Sequence, residues 1–377
     1  MEVAVYCLIM SPLLFEKSSP ARSVLWYTRC PVPTAFSLAW ELGALEREFR
    51  TCGIAWKSLQ ETGDPQVIQS HFSHTQEDSF RQGGNIPALW AKSRGAETRL
   101  IGLSWVQTPY PILTVPESGI LSVSDLKGKR LLVLRHSRER AVDFGRATTL
   151  RTYEVALESA GLGLEDVKLI EVEVDRLYVD AHKPARTLQN TFSRRGGYKE
   201  AIVSLIRREV DAIALQLASG FEIAALIGAS MIVDVRALPV AKAARTNNGA
   251  PRTLTVSARL ADEQPEMVAR VVAHLLEAAE WAQSHPREVV RIVARDEHVA
   301  EEIIDATYGP GLGHTFGTDL LPENVLALRS QADFLLRHGF LVEDIDFAQW
   351  IDPRPLERAR EILAERSAVI AKAEAKP

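Results

Sequence analysis

A cysteine, a histidine and an arginine carry the chemical interest of this chain. Cys30 stands in "WYTRCPVPTAF" (26–36), between Arg29 and Pro31. A residue before proline is steered into extended backbone, which projects its side chain from a turn. A neighbouring cation would favour its thiolate. The competing reading is a small buried apolar residue, the commonest fate of a cysteine. Arg81 lies in "SFRQGG", ahead of Gly83 and Gly84. A guanidinium is a rigid fork of donors suited to a two-oxygen anion, and paired glycines let backbone amides approach an anion closely. The plain alternative is a solvated charge. His71, ten residues before Arg81, could hydrogen-bond a thiol or an oxyanion, or sit in a surface loop.

Other constellations are weaker. His71 and His74, with Glu77 and Asp78 beyond, have the residue types of a zinc site on a helix. The spacing is not His-Glu-x-x-His and no second cluster matches it, so no metal is expected. "GPGLGHTFGTD" (309–319) is glycine-rich, but it neither follows a strand nor opens a helix, which excludes a phosphate loop. No cofactor motif remains.

The elements that must hold these residues follow from periodicity. "SVLWYT" (23–28) reads as a strand, 34–53 as a helix closed by Gly53, and "IAWKSLQ" (54–60) as the next strand. That is a parallel βαβ unit, and Cys30 falls in its first βα turn, where open α/β sheets place ligands. Further strands are expected at 98–106, 110–115, 129–135, 167–174, 210–215 and 231–235, with helices at 149–161 and 199–209. The last third reads as helical, at 264–284, 286–295, 299–307, 322–338 and 355–375; Pro265, Pro286 and Pro322 mark three of the starts. The segment 175–200 has no clean period and contains Gly196-Gly197; its length suggests a mobile lid or plain disorder.

At 377 residues, two lobes are expected. A net charge of −5 leaves no basic footprint for nucleic acid or an anionic membrane. Three cysteines cannot build a disulfide framework and fit a reducing cytoplasm. "MEVAVYCLIMSPLLF" is apolar but acidic at its start, broken by Pro12 and too short to span a bilayer; residues 1–22 read as an extension.

The stretch "ESGILSVSDLKGKRLLVL" (117–134), with 156–172 and 205–215, resembles the nitrate, sulfonate and taurine solute-binding proteins. That resemblance implies a type II periplasmic-binding-protein-like fold, two α/β lobes around a cleft with a helical C-terminal third. Lobe I would comprise 23–115 and 237–377, and lobe II 116–236. Three narrower stretches, "RCPVPTA" (29–35), "HFSHTQEDSFRQGGNIPAL" (71–89) and "LRSQADFLLRHGFLVEDIDFAQW" (328–350), are similar to the aryl-sulfinate desulfinases. The similarity runs unevenly from about 23 to 352 and is poor across 135–200.

The resemblance implies hydrolytic C–S cleavage of an aryl sulfinate to arene and sulfite without a cofactor. Cys30, His71 and Arg81 would be catalytic, Cys30 as proton donor to the ipso carbon or as nucleophile on sulfur. Gly83, Gly84, Phe72, His74 and Gln76 would border the substrate, Phe72 against the aryl ring. In that family a tyrosine stands where this chain has His74, and an aromatic-rich stretch where it has "LQLASGFE" (215–222). Both departures bear on the aryl group and neither on the catalytic trio. The expected partner is a small aromatic sulfinate, with no nucleic acid and no membrane, and the protein is expected to be a cytoplasmic monomer. The alternative is a non-catalytic binding protein for a small sulfonate- or sulfinate-type anion, since fold does not decide function.

Overall fold

The computed structural model describes residues 23–30, 32–138, 141–175 and 198–374. The chain enters through β1 (Val24–Arg29), α1 (Ala35–Glu41), α2 (Ala44–Arg50), β2 (Ala55–Ser58), α3 (Pro65–Ser73), β3 (Ser79–Gly83), α4 (Asn85–Ser93) and β4 (Thr98–Ser104). It crosses to β5 (Pro111–Thr114), β6 (Arg130–His136), α5 (Phe144–Ser159), β7 (Lys168–Val174), α6 (Lys199–Ile206), β8 (Ile213–Ala214), α7 (Leu217–Ile227) and β9 (Ser230–Asp234). It returns through β10 (Arg252–Ser257) and ends in helices α8 (Ala258–Glu263), α9 (Pro265–Ser284), α10 (Pro286–Glu297), α11 (Glu301–Tyr308), α12 (Pro322–Arg337), α13 (Phe347–Trp350) and α14 (Arg354–Glu374).

The first sheet has the order β2-β1-β3-β10-β4, parallel except for the returning β10. In the second region β8-β5-β9 form one sheet and β6-β7 a parallel pair, linked by a bridge between Leu131 and Ala212. Two α/β lobes with two chain crossings make this the type II periplasmic-binding-protein-like fold expected from the sequence.

Local chemistry accounts for the elements around the first sheet. Thr34 caps α1 by accepting the Ser37 N–H, and Asp64 caps α3 ahead of Pro65. Helix α9 buries Val268, Val271, Val272, Leu275, Ala278, Ala279 and Ala282, a helical-period stripe packed with Leu25, Phe36, Leu38 and Phe80. That packing fixes the strand ends from which the candidate residues project.

Three expectations need correction. The helix expected over 34–53 is two helices, because Gly43 adopts φ 68°, the left-handed conformation that breaks the run. The strand at 110–115 pairs with β8 and β9, so the chain crosses between Ser104 and Pro111, before the expected boundary at 115. The helix at 149–161 begins earlier, at Phe144, under an Asp143 cap. The extension 1–22 and almost all of the segment 175–200 lie outside the described residues. No described helix is long and apolar enough to cross a membrane.

Candidate active site

Cys30 follows the last residue of β1 and is 6% exposed. Its Sγ lies 4.0 Å from Nε2 of His71, which projects from the last turn of α3. Nδ1 of His71 is hydrogen-bonded to the Thr28 hydroxyl. Parallel pairing of β1 with β3 sets Thr28 opposite Arg81, so the residue two before Cys30 and the arginine are neighbours across the sheet. The sequence thus brings its three candidates together by one register.

Arg81 is 3% exposed. It donates from Nε to the His71 carbonyl at 3.2 Å and from Nη1 to the Gly84 carbonyl at 2.9 Å. No carboxylate lies within ion-pair distance of it among the described residues. A buried guanidinium bonded only to neutral oxygens keeps its full charge in a poorly solvated place, a strong attraction for an anion. Burial lowers its pKa and the neighbouring Cys30 raises it, which leaves it a cation at any working pH. The fork is not presented whole, since two nitrogens are already committed to backbone. What remains for an anion is Nη2, beside Gly83.

The two glycines are required by space. A Cβ on Gly83 would lie 2.3 Å from Cys30 Sγ, and one on Gly84 would lie 2.5 Å from Asn248 Oδ1. The first turn of α4 is already satisfied: Asn85 N–H donates to the Asn248 carbonyl at 2.8 Å and Ile86 N–H to Asn248 Oδ1 at 3.0 Å. That helix start is therefore closed to an anion.

Burial, reinforced by the Arg81 charge, lowers the pKa of His71 to about 3. His71 is thus a neutral imidazole at physiological pH. His74 ends α3 in the left-handed region, φ 53°, and is 9% exposed. Burial first, then Arg81 and His71, hold it well below the usual range. The Phe72 backbone acts in the opposite, raising direction.

Phe72 is 2% exposed, meets His71 edge-on at 4.8 Å and stacks on Phe144 of the other lobe at 6.2 Å. Gln76 is spent locally: its N–H donates to Ser70 Oγ at 2.7 Å and its amide to the Glu77 carbonyl at 3.3 Å. Among the described residues no group of three or more His, Cys, Asp or Glu could hold a metal ion. A surface groove of about 490 Å³ lined by Trp40, Trp56 and Arg50 contains none of the candidate residues.

Two residues that the sequence did not point to support the site. Arg252, fully buried, donates to the Pro33 carbonyl, to the Gly249 carbonyl at 3.2 Å and to Thr108 Oγ1 at 3.1 Å, tying the cysteine turn to the lobe crossing. Asn248 packs on Gly84 and caps α4. Arg252 reaches Pro33 and Asn248 reaches the start of α4 from more than 150 residues away in the chain, and neither has a motif.

No family model matches the chain. Among characterised proteins it is similar to 2'-hydroxybiphenyl-2-sulfinate desulfinase of Rhodococcus erythropolis, with 27% identity over 372 residues, 91% of this chain and 95% of the relative. Among solved structures it is similar to the desulfurization enzyme DSZB, with 25% identity and a TM-score of 0.71 over 90% of this chain and 99% of that one. A cysteine-to-serine mutant of DSZB in complex with biphenyl-2-sulfinic acid matches equally well. The sulfonate-binding protein SsuA from Escherichia coli shares the fold, with 18% identity and a TM-score of 0.61 over 88% of this chain and 92% of SsuA.

Proposed function

We propose that this protein cleaves the C–S bond of an aryl sulfinate hydrolytically, with Cys30 as proton donor, Arg81 as the anion's counter-charge and His71 as the group that faces the sulfur. One observation carries the reading: a buried guanidinium with no carboxylate against it among the described residues, beside a cysteine that a histidine also faces. Similarity to an enzyme named for sulfinate desulfination, and to a structure holding biphenyl-2-sulfinic acid, supports a sulfinate as that anion.

Charge balance favours the proton-donor role over nucleophilic attack. Arg81 supplies one positive charge and neutral His71 none. A bound sulfinate already balances Arg81. A thiolate as well would put two anions against one cation in a buried place, which is costly. With Cys30 as a neutral thiol, its proton passes to the ipso carbon and the C–S electron pair stays with the ring. Sulfur leaves as SO2, and the negative charge moves from sulfinate to thiolate beside Arg81. Water then adds to SO2 to give hydrogen sulfite, and the proton released restores the thiol. The sum is sulfinate plus water to arene plus hydrogen sulfite. Holding the sulfinate against a fixed cation supplies orientation as well as charge.

The aryl group is read as an aromatic ring on the Phe72 side of the site. With His74 in place of a tyrosine, its identity is set by this chain's own pocket. Among the described residues Cys30 and Cys52 are free thiols, which supports a reducing, cytoplasmic setting. The deciding experiment is sulfite release from a panel of aryl sulfinates by wild type and Cys30→Ser. Sulfite from wild type alone is the expected result. No sulfite from either, with a sulfinate or sulfonate raising the melting temperature, would make the protein a binding protein.

A further inference from the structure

The Thr28 hydroxyl has a single proton to give, and its surroundings say where it goes. Gln60, in the short turn Leu59–Glu61 after β2, donates its amide Nε2–H to Thr28 Oγ1 at 2.7 Å. The other partner of Thr28 Oγ1 is Nδ1 of His71. The Ser58 hydroxyl accepts the Gln60 backbone N–H at 3.3 Å and pairs with Gln60 Oε1 at 3.0 Å, the arrangement in which Nε2 faces Thr28. With an amide donor on one side, Thr28 gives its proton to the ring on the other. Nδ1 is then an acceptor, and the proton of a neutral imidazole lies on Nε2, the nitrogen that faces Cys30 Sγ.

We propose that Gln60 is a positioning residue which, through Thr28, fixes His71 as the Nε2–H tautomer aimed at Cys30. The inference rests on the proton-donor reading above and says why the histidine is needed in it. An N–H facing the sulfur stabilises the thiolate formed when the proton leaves. A lone pair in the same place would instead accept a hydrogen bond from the S–H and turn the thiol proton away from the ipso carbon. The neutral state that gives the tautomer its meaning follows from the burial of His71 beside Arg81. The relay is built by strand order: β2, β1 and β3 lie side by side, Tyr27 pairs with Ser58 and Thr28 with Arg81.

Gln60→Glu is the informative substitution, because a carboxylate only accepts. Thr28 would turn its proton toward Glu, accept from Nδ1–H, and move the ring proton away from Nε2. The measurement is the nitrogen-15 spectrum of the histidine rings, with His71 assigned by its loss in His71→Gln, alongside sulfite kinetics. Wild type should show Nδ1 unprotonated and Nε2 protonated. Gln60→Glu should exchange the two and lower kcat on the order of 10- to 100-fold, the scale seen when a metal-bound histidine loses its orienting partner. KM should hold, since Arg81 is untouched. Thr28→Val, which removes the hydroxyl at nearly constant volume, should give a mixture of tautomers and a smaller loss, and serves if Gln60→Glu does not fold. A wild-type ring protonated on Nδ1, or a tautomer that no substitution moves, overturns the relay even if sulfite is released. A tautomer that responds in a protein releasing no sulfite keeps the relay and removes desulfination instead.

Discussion

His71 and Glu297 are both partly buried titratable groups, and burial strips the charge from each in opposite directions. His71 is lowered to about 3 and Glu297 is raised to about 7. The difference lies in what surrounds them. His71 is met by a hydroxyl and a sulfur, and the nearby charge of Arg81 is of the sign that opposes protonation. Glu297 accepts from the Tyr308 hydroxyl and from the Ala218 N–H at 2.9 Å, at the start of α7, with Arg252 favouring its charge and Asp296 opposing it. Those partners hold its pKa near neutrality against burial. The candidate active site therefore holds a neutral histidine beside one permanent cation, whereas the junction of α7 with α10 and α11 holds the group that titrates near pH 7.

The comparison breaks first at the site. Cys30→Ser should leave sulfite release undetectable with the fold intact, because a hydroxyl is a far weaker acid than a thiol; the measurement is turnover beside a melting curve. Arg81→Lys should lose on the order of 10²–10³-fold in kcat/KM. A lysine cannot reproduce the two backbone bonds that aim Nη2, and loss of one preorganised donor costs about that much. Near-wild-type turnover in either variant would show that the chemistry lies elsewhere.

A smaller effect tests how tightly the sulfur is held. Gly83→Ala places a methyl 2.3 Å from Cys30 Sγ, so the sulfur or the strand must shift. A displacement of about 1 Å costs on the order of 10²-fold in rate, with a stability loss of about 1–3 kcal/mol for the overpacking. Turnover and thermal unfolding of the one variant measure both. Gly53, with nothing within 4 Å of an added Cβ but φ at 73°, is the control for a glycine needed only by its backbone.

The supporting residues also mark where the sequence stops being legible. Strands β1 and β2 are visible because their apolar runs flank a helix that ends in glycine. Helices α9 and α12 are visible from period and a first-turn proline. Strand β3 is not, since "SFRQG" carries Arg81 and Gln82 facing into the protein, and charge inside a strand erases the pattern on which strands are read. Strand β10 is buried along its length and pairs with residues about 150–175 positions earlier, information that no local window contains. Within the site, Cys30, His71 and Arg81 stand in recognisable stretches. Thr28, Gln60, Asn248 and Arg252 act through a ring nitrogen, a hydroxyl or backbone groups, which many sequences could supply, so they come into view only with the fold.

The smallest expected effect sharpens the comparison most, because its sign differs between the two regions. A histidine with a lowered folded pKa contributes stability that is present above its unfolded value near 6.5 and lost as pH falls toward 3. Glu297 runs the other way. Its folded pKa lies above the unfolded value of 4.5, so the folded state holds more protons between about pH 4.5 and 7, and its contribution declines as pH rises through that window. The full shifts correspond to about 3 kcal/mol for Glu297 and about 5 kcal/mol for His71, spread over the windows named. Glu297→Gln should therefore flatten the fall in stability between pH 5 and 7.5, while His71→Gln should flatten the fall on the acid side. Denaturant midpoints measured across pH for wild type and both variants decide it. Slopes of the same sign for the two substitutions would mean that the junction is not the titrating region and that Glu297 is an ordinary carboxylate held by Tyr308 and α7.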